Sequence, residues 1–168
     1  MDHRADVDYP IVMGPAQEPD YYLRHDVYGN WNMWGCPYLD AACAEGGLLR
    51  SRNAVVYGHH MRDGSMFAQL ARYSDEGWAR EHVDVLVQTP EERAVFHVFA
   101  ADVVNAGTEK KVTEFDDDAQ YRTWIEKTVE DSRMVLDGDV RPEHVLTLCT
   151  CSYHYWGNER TLVYCARI

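Results

Sequence analysis

A cysteine, an arginine and a histidine carry the chemistry that this 168-residue sequence offers. Cys151 ends the apolar, β-branched run Leu146-Thr-Leu-Cys-Thr-Cys151, and Arg160 opens a second apolar run that closes the chain at Ile168. A polar and aromatic stretch from Ser152 to Glu159 separates them. The pattern predicts two strands joined by a loop, with a thiol at one rim and a guanidinium at the facing rim. A thiol beside a fixed positive charge is favoured as thiolate, its nucleophilic form. The same guanidinium can hold negative charge developing on an attacked carbonyl oxygen. The pair lacks a proton carrier, and Asn53-Ala-Val-Val-Tyr-Gly-His59 ends on one. Together the three residues point to a Cys–His–Arg acyl-transfer site.

Each residue has a plainer alternative. Most free cysteines are small buried hydrophobes, but a cysteine at a strand's end, just before a polar loop, fits that role less well. Cys149 shares the strand face of Cys151, so it lines the same pocket or packs beside it. Cys165, mid-strand, reads as core. His59 and His60 are adjacent and point to opposite sides, so one of them faces the thiol. Gly58 before His59 permits a close backbone approach or an unusual φ, which suits a site more than a plain strand. Arg160 could instead be solvated or paired with Glu159, and His154 reads as exposed. Cys149, Cys151, His59 and His60 are zinc-ligand types, but their spacing lacks the gaps of a structural zinc site. A Cys–His–Asn arrangement stays open in principle, with Asn53 and Asn158 available.

The elements that must position these groups follow from pattern. Val7 to Val12 reads as an edge strand, because Pro10 has no N–H for a central ladder. Gly14 to Asp20 is turn chemistry. Tyr21 to His25 reads as one helical turn or the start of a loop, and Pro37 to Asp40 as a short strand. Ala54 to Tyr57 is a short buried strand ending at Gly58. Ser65 is placed to cap a helix through Phe67, Leu70 and Tyr73, and Trp78 to His82 forms another helical turn. Val83 to Thr89 and Ala94 to Val104 form a hairpin around Pro90 to Arg93. Tyr121, Trp124, Ile125, Thr128 and Val129 mark one stripe of a long helix that starts near Asp116 to Asp118, where acid suits the helix dipole. That helix supplies the crossover to the cysteine strand. The sum is a β-rich barrel or sandwich decorated by helices.

Length fits one domain over residues 1–168. The net charge of -12 argues against a nucleic-acid partner, because phosphate would repel it. Five cysteines are an odd set, so at least one is unpaired in a monomer; Cys36 and Cys43 could bridge a loop. No apolar stretch reaches the ~20 residues that cross a bilayer, so the chain as given reads as soluble.

Several segments resemble the sortase family. Thr147-Leu-Cys-Thr-Cys151 resembles the signature Thr-Leu-x-Thr-Cys, whose final cysteine is the nucleophile; Val56-Tyr-Gly-His59 resembles the histidine segment; Arg160 matches the arginine that begins the last strand. Asp8-Tyr-Pro-Ile-Val12, Tyr22-Leu-Arg-His-Asp26, the stretch Tyr57 to Phe67 and the long helix of Asp117 to Arg133 are similar to class B sortases. The resemblance implies a mainly β fold: a closed eight-stranded barrel with peripheral helices and one long helix before the cysteine strand. It implies catalytic roles for Cys151, His59 (the histidine directly after glycine) and Arg160, so that replacement of His60 by alanine is expected to be mild, and substrate contacts at Tyr57, Thr150, Ser152 and Cys149, the last standing where class B enzymes often carry serine. The implied activity is a transpeptidase that cleaves a C-terminal sorting motif after threonine through a thioester, without metal, ATP or other cofactor. The implied partners are a sorting-signal peptide and an amine from a peptidoglycan precursor or a pilin lysine. The implied place is the outer face of a Gram-positive cell membrane. The family's N-terminal anchor, and usually a helix and strand after it, precede the Asp-Tyr-Pro segment and are expected to be missing from this chain. The alternatives are a non-catalytic sortase-like peptide-binding or scaffold domain, and a cysteine peptidase that mainly hydrolyses.

Overall fold

The computed structural model describes residues 7–107, 111–152 and 158–168, with Ser152 described by its backbone alone. In order come β1 (Val12–Met13), β2 (Tyr38–Leu39), α1 (Gly47–Arg50), β3 (Asn53–Gly58), α2 (Glu76–Glu81), β4 (Asp84–Gln88), β5 (Arg93–Asn105), α3 (Asp118–Asp131), β6 (Met134–Val135), β7 (Val145–Ser152) and β8 (Glu159–Arg167). Short 3-10 turns lie at Tyr21–Leu23, Ala41–Cys43 and Ala68–Ser74. All eight strands join one sheet in the order β1-β2-β3-β7-β8-β5-β4, and β6 pairs on β5. Among the described residues no ladder joins β1 to β4. The expected eight strands are present in a curled, open sheet rather than in a closed barrel.

The three central strands alternate cleanly, since successive side chains leave a strand on opposite faces. Ala54 and Val56 of β3, Leu146 and Leu148 of β7, and Val163 and Cys165 of β8 enter the main core, where Phe67, Leu70 and Phe96 meet them. On the other face, Val145, Tyr164 and Ala166 pack against Tyr121 and Ile125 of α3. The predicted helical stripe is borne out there: Tyr121, Ile125 and Thr128 are buried, and the Asp117 side chain caps the helix by accepting from the Gln120 N–H at 2.8 Å. β5 is long enough to serve both layers because its register slips between Val98 and Ala100, a bulge that re-aims the side chains beyond it.

Three local expectations are corrected. The edge strand is only Val12–Met13, later and shorter than Val7 to Val12; Tyr9 contributes through its hydroxyl, which accepts from the Met66 N–H at 2.9 Å. Ser65 caps no helix, because its N–H and hydroxyl both turn to Asp63 Oδ1, at 3.0 and 2.6 Å. Phe67, Leu70 and Tyr73 are indeed buried on one face, but of a 3-10 segment, whose three residues per turn suit their spacing of three. Cys36 and Cys43 form no bridge, and all five thiols are free. Among the described residues no helix is long and apolar enough to cross a membrane.

Candidate active site

Three strand ends meet at one rim of the sheet. β7 runs antiparallel to β8 with Cys151 directly opposite Arg160. Directly opposed residues of an antiparallel pair share a face, and the Arg160 Nη1–H donates to Cys151 Sγ at 3.0 Å. β3 runs parallel to β7, and its last pair sets Gly58 beside Thr150. His59 therefore emerges next to the end of β7, although it lies 92 positions before Cys151 in the chain.

Gly58 is required by close approach, the first of the two options its sequence position left open. A Cβ there would stand 2.5 Å from Cγ of Phe67, a ring that is 2% exposed. His59 is then held by its own hydrogen bond, Nε2 to the Leu23 carbonyl at 3.0 Å. A carbonyl only accepts, so that nitrogen carries a hydrogen and Nδ1 is the one left to exchange a proton. Leu23 belongs to the turn Tyr21–Leu23, against which Gly35 packs so tightly that a Cβ would lie 2.4 Å from the Tyr22 carbonyl oxygen.

Cys151, His59 and Arg160 all line one cleft of about 80 Å³, with Leu23, Tyr38 and Cys149 among its other walls. Tyr57, Cys149 and Arg160 also wall a second, larger cavity of about 240 Å³, bounded across from the sheet by Lys111, Val112 and Trp124. The two form one path along the strand face that carries the thiol. Lys111 and Arg160 are the charged residues on the larger cavity's walls, both cationic in an acidic chain.

The candidate substrate contacts differ in how free they are. The Tyr57 hydroxyl donates to Asp40 Oδ2 at 3.0 Å, and its ring lies 5.4 Å from that of Tyr38. Burial, then the neighbouring Asp40 carboxylate, pushes its hydroxyl far above the ordinary tyrosine range, so Tyr57 faces the path as a neutral phenol. Cys149 is buried, and desolvation pushes its thiol up to about 12, offset in part by Arg160. Thr150 touches the cleft, but its hydroxyl donates to the Gly58 carbonyl at 2.9 Å and ties β7 to β3. The side chain of Ser152 and all of His154 lie outside the described residues. Neither asparagine of the Cys–His–Asn alternative is among the walls of the cleft. Asn53 instead accepts from the Thr147 hydroxyl at 2.6 Å and donates to the Val112 carbonyl at 2.8 Å. Among the described residues no three His, Cys, Asp or Glu side chains converge as a metal site needs.

Two features escaped sequence reasoning. Asp40 is a buried carboxylate beneath the path, with Lys111, the Ala42 N–H and Tyr57 as partners. Burial alone would raise its pKa; those donors outweigh burial and hold it below the ordinary carboxylate value. An aspartate after a two-residue strand carries no local mark of burial, so nothing in the sequence flagged it. The second is His60, whose Nδ1 lies 2.8 Å from the Cys151 carbonyl oxygen.

A family model described as the Sortase domain matches residues 4–168. The chain is 26% identical over 148 residues to sortase B of Listeria monocytogenes, covering 88% of this chain and 58% of that protein. It is 24% identical over 165 residues to sortase B of Staphylococcus aureus, covering 96% of this chain and 65% of that one. The chain thus spans less than two thirds of the length of both curated relatives. Among solved structures, that of Clostridium perfringens sortase B superposes with a TM-score of 0.85 at 28% identity, over 98% of this chain and 88% of the other.

Proposed function

The chain belongs to the sortase family, and from that premise we propose that it is a class B-type cysteine transpeptidase. Its substrate is a C-terminal sorting signal, cleaved after threonine, and its product is the upstream protein joined to an amine. The observation that carries the proposal is the 3.0 Å contact between Arg160 Nη1 and Cys151 Sγ in a cleft that His59 also lines.

The chemistry follows from those groups. The Cys151 thiolate attacks the threonine carbonyl, and the oxygen that becomes negative is held by the Arg160 guanidinium. The C–N bond then breaks, and protonated His59 gives its proton from Nδ1 to the leaving amine. A thioester remains on Cys151. An incoming amine attacks it, loses its proton to His59 and leaves with the acyl group, restoring the thiolate. Two acyl transfers conserve the activation of the acyl group, so no ATP is consumed.

The peptide ahead of the scissile bond lies along the path between the sheet face and Lys111. The cationic walls there suit backbone carbonyls and carboxamide side chains, in keeping with a motif of the Asn-Pro-x-Thr type. The acceptor is an amine of a peptidoglycan precursor or a pilin lysine, and the enzyme works at the outer face of a Gram-positive cell membrane.

A peptide library with mass-spectrometric readout tests this. Cleavage after threonine is expected, with an amide product when an amine is added, and none with Cys151→Ala. Arg160→Ala should lower turnover about 100–1000-fold with the fold intact. Hydrolysis that added amine never diverts would make the protein a cysteine hydrolase instead. Binding without cleavage would make it a peptide-binding module.

A further inference from the structure

We propose that His60, the histidine that is not the proton carrier, is a positioning residue that holds the nucleophile's strand end; this rests on the transpeptidase assignment above for its kinetic consequences only. The parallel ladder between β3 and β7 stops at Gly58 and Thr150, while β7 runs on to Ser152. Among the described residues that ladder makes no rung beyond Gly58 and Thr150, so it does not extend to Cys151. The His60 imidazole reaches it instead: Nδ1 lies 2.8 Å from the Cys151 oxygen. Because a carbonyl only accepts, Nδ1 carries the hydrogen, and the bond survives protonation of the ring.

His60 is itself fixed from behind. It forms a bridge with Met66 across the loop that follows β3. Met66 has φ +55°, a left-handed conformation that a non-glycine residue adopts only where its surroundings hold it. Its N–H donates to the Tyr9 hydroxyl at 2.9 Å, and the next N–H, of Phe67, donates to the His59 carbonyl at 2.9 Å. The loop therefore closes on both histidines. It presents one imidazole to the cleft and the other to the backbone of the nucleophile. The Cys151 carbonyl is thus held from the β3 side while Arg160 meets the sulfur at 3.0 Å from the β8 side, so the backbone that carries the thiol is set beside the guanidinium. On this proposal, loss of the His60 imidazole is costly rather than mild.

The test uses side chains that differ in a donor and little else. The amide nitrogen of asparagine, like Nδ1 of histidine, is bonded directly to Cγ, so His60→Asn keeps a donor in place. His60→Leu has nearly the shape of His60→Asn and no donor. His60→Leu is expected to lower kcat on an Asn-Pro-x-Thr-type peptide about tenfold or more, with KM within about twofold of the parent. It should also slow alkylation of Cys151 by iodoacetamide about threefold or more, since the sulfur is no longer held at Arg160. His60→Asn should recover most of both. His60→Leu equal to the parent, or His60→Asn as impaired as His60→Leu, overturns the proposal. If His60→Leu does not fold, His60→Gln replaces it, because its amide sits one atom too far out and should fail where asparagine succeeds. Alkylation needs no substrate, so it decides the role of His60 even if the parent turns over no peptide.

Discussion

Replacing Gly58 by alanine tests how the core sets the chemistry. The added methyl would stand 2.5 and 2.6 Å from Cγ and Cδ2 of Phe67, far inside contact distance. Phe67 cannot swing into solvent, being 2% exposed and packed in the main core. Overpacking of this kind costs about 1–3 kcal/mol, and the reduced freedom of the unfolded chain returns about 0.4–1 kcal/mol. A net loss of about 1–2 kcal/mol corresponds to a fall in Tm of roughly 2–8 °C for a chain of this size. Starting even from the low end of ordinary stability, about 5 kcal/mol, fewer than about one molecule in a hundred would be unfolded at 25 °C.

Turnover should suffer far more than that. Gly58 immediately precedes His59, and the Phe67 N–H donates to the His59 carbonyl at 2.9 Å, so a shift of either partner moves the imidazole proposed as the proton carrier. A displacement near 1 Å costs on the order of 100-fold in rate. The measurement pairs a thermal melt with steady-state kinetics on the cleaved peptide, for Gly58→Ala, Phe67→Leu and the double variant. Phe67→Leu alone loses about 1–2 kcal/mol of burial, but it makes room for the methyl. The double variant should therefore be more stable than the sum of the two losses by about 1 kcal/mol or more. Gly58→Ala that keeps parental Tm and kcat, or strict additivity in the double variant, would refute the close-approach explanation.

Two further outcomes follow from burial and charge. In the native protein, iodoacetamide should label Cys151 ahead of the other four thiols. Those four are buried, and desolvation pushes Cys36 up to about 11, Cys149 up to about 12, and Cys43 and Cys165 upward as well; peptide mapping after brief treatment checks this, and equal labelling of Cys36 would contradict it. Lys111→Met should change the acid limb of stability. In the parent, the folded pKa of Asp40 lies below its unfolded value near ~3.9. Its contribution is thus complete above that value and fades as pH falls through the folded pKa. Without Lys111, burial, already the largest single influence, meets less opposition, and the carboxyl pKa rises from its parental value. The variant should lose stability at pH 7 and lose less on acidification, as seen in denaturant melts from pH 7 to 3; parallel curves for the two proteins would refute the role of the pair.

The convergence of Cys151, Arg160 and His59 on one cleft was legible because each is marked locally: a cysteine at a strand's end, an arginine at a strand's start, a histidine after glycine. Period-two alternation also places Tyr57, Cys149 and Cys151 on one face, and the large cavity runs along that face. The ladder that brings β3 beside β7 leaves no such mark, since it pairs Gly58 with Thr150 across most of the chain. Partners at that range depend on global topology, which is why His60 was read as incidental and why the pairing of Asp40 with Lys111 went unseen. The edge strand misled for a related reason. Tyr9 and Pro10 have the composition of a strand, but Tyr9 spends its polar group on the Met66 N–H of a distant loop.

The geometry at the rim is therefore set in large part by residues on the opposite, core-facing side of the sheet. Leu146 and Leu148 of β7 point away from the path, as do Val163 and Cys165 of β8, and all four are buried in the main core. Because side chains alternate, a slip of one residue in either strand would carry Cys151 or Arg160 to the core face and put Thr150 or Ser152, or Glu159 or Thr161, in its place at the cleft. The core resists that slip along the whole length of the pairing, and the Thr150 hydroxyl on the Gly58 carbonyl resists it at the last rung. A thiol and a guanidinium 3.0 Å apart are held there by hydrophobic register on the opposite side of the sheet, with their own attraction adding to an arrangement already made.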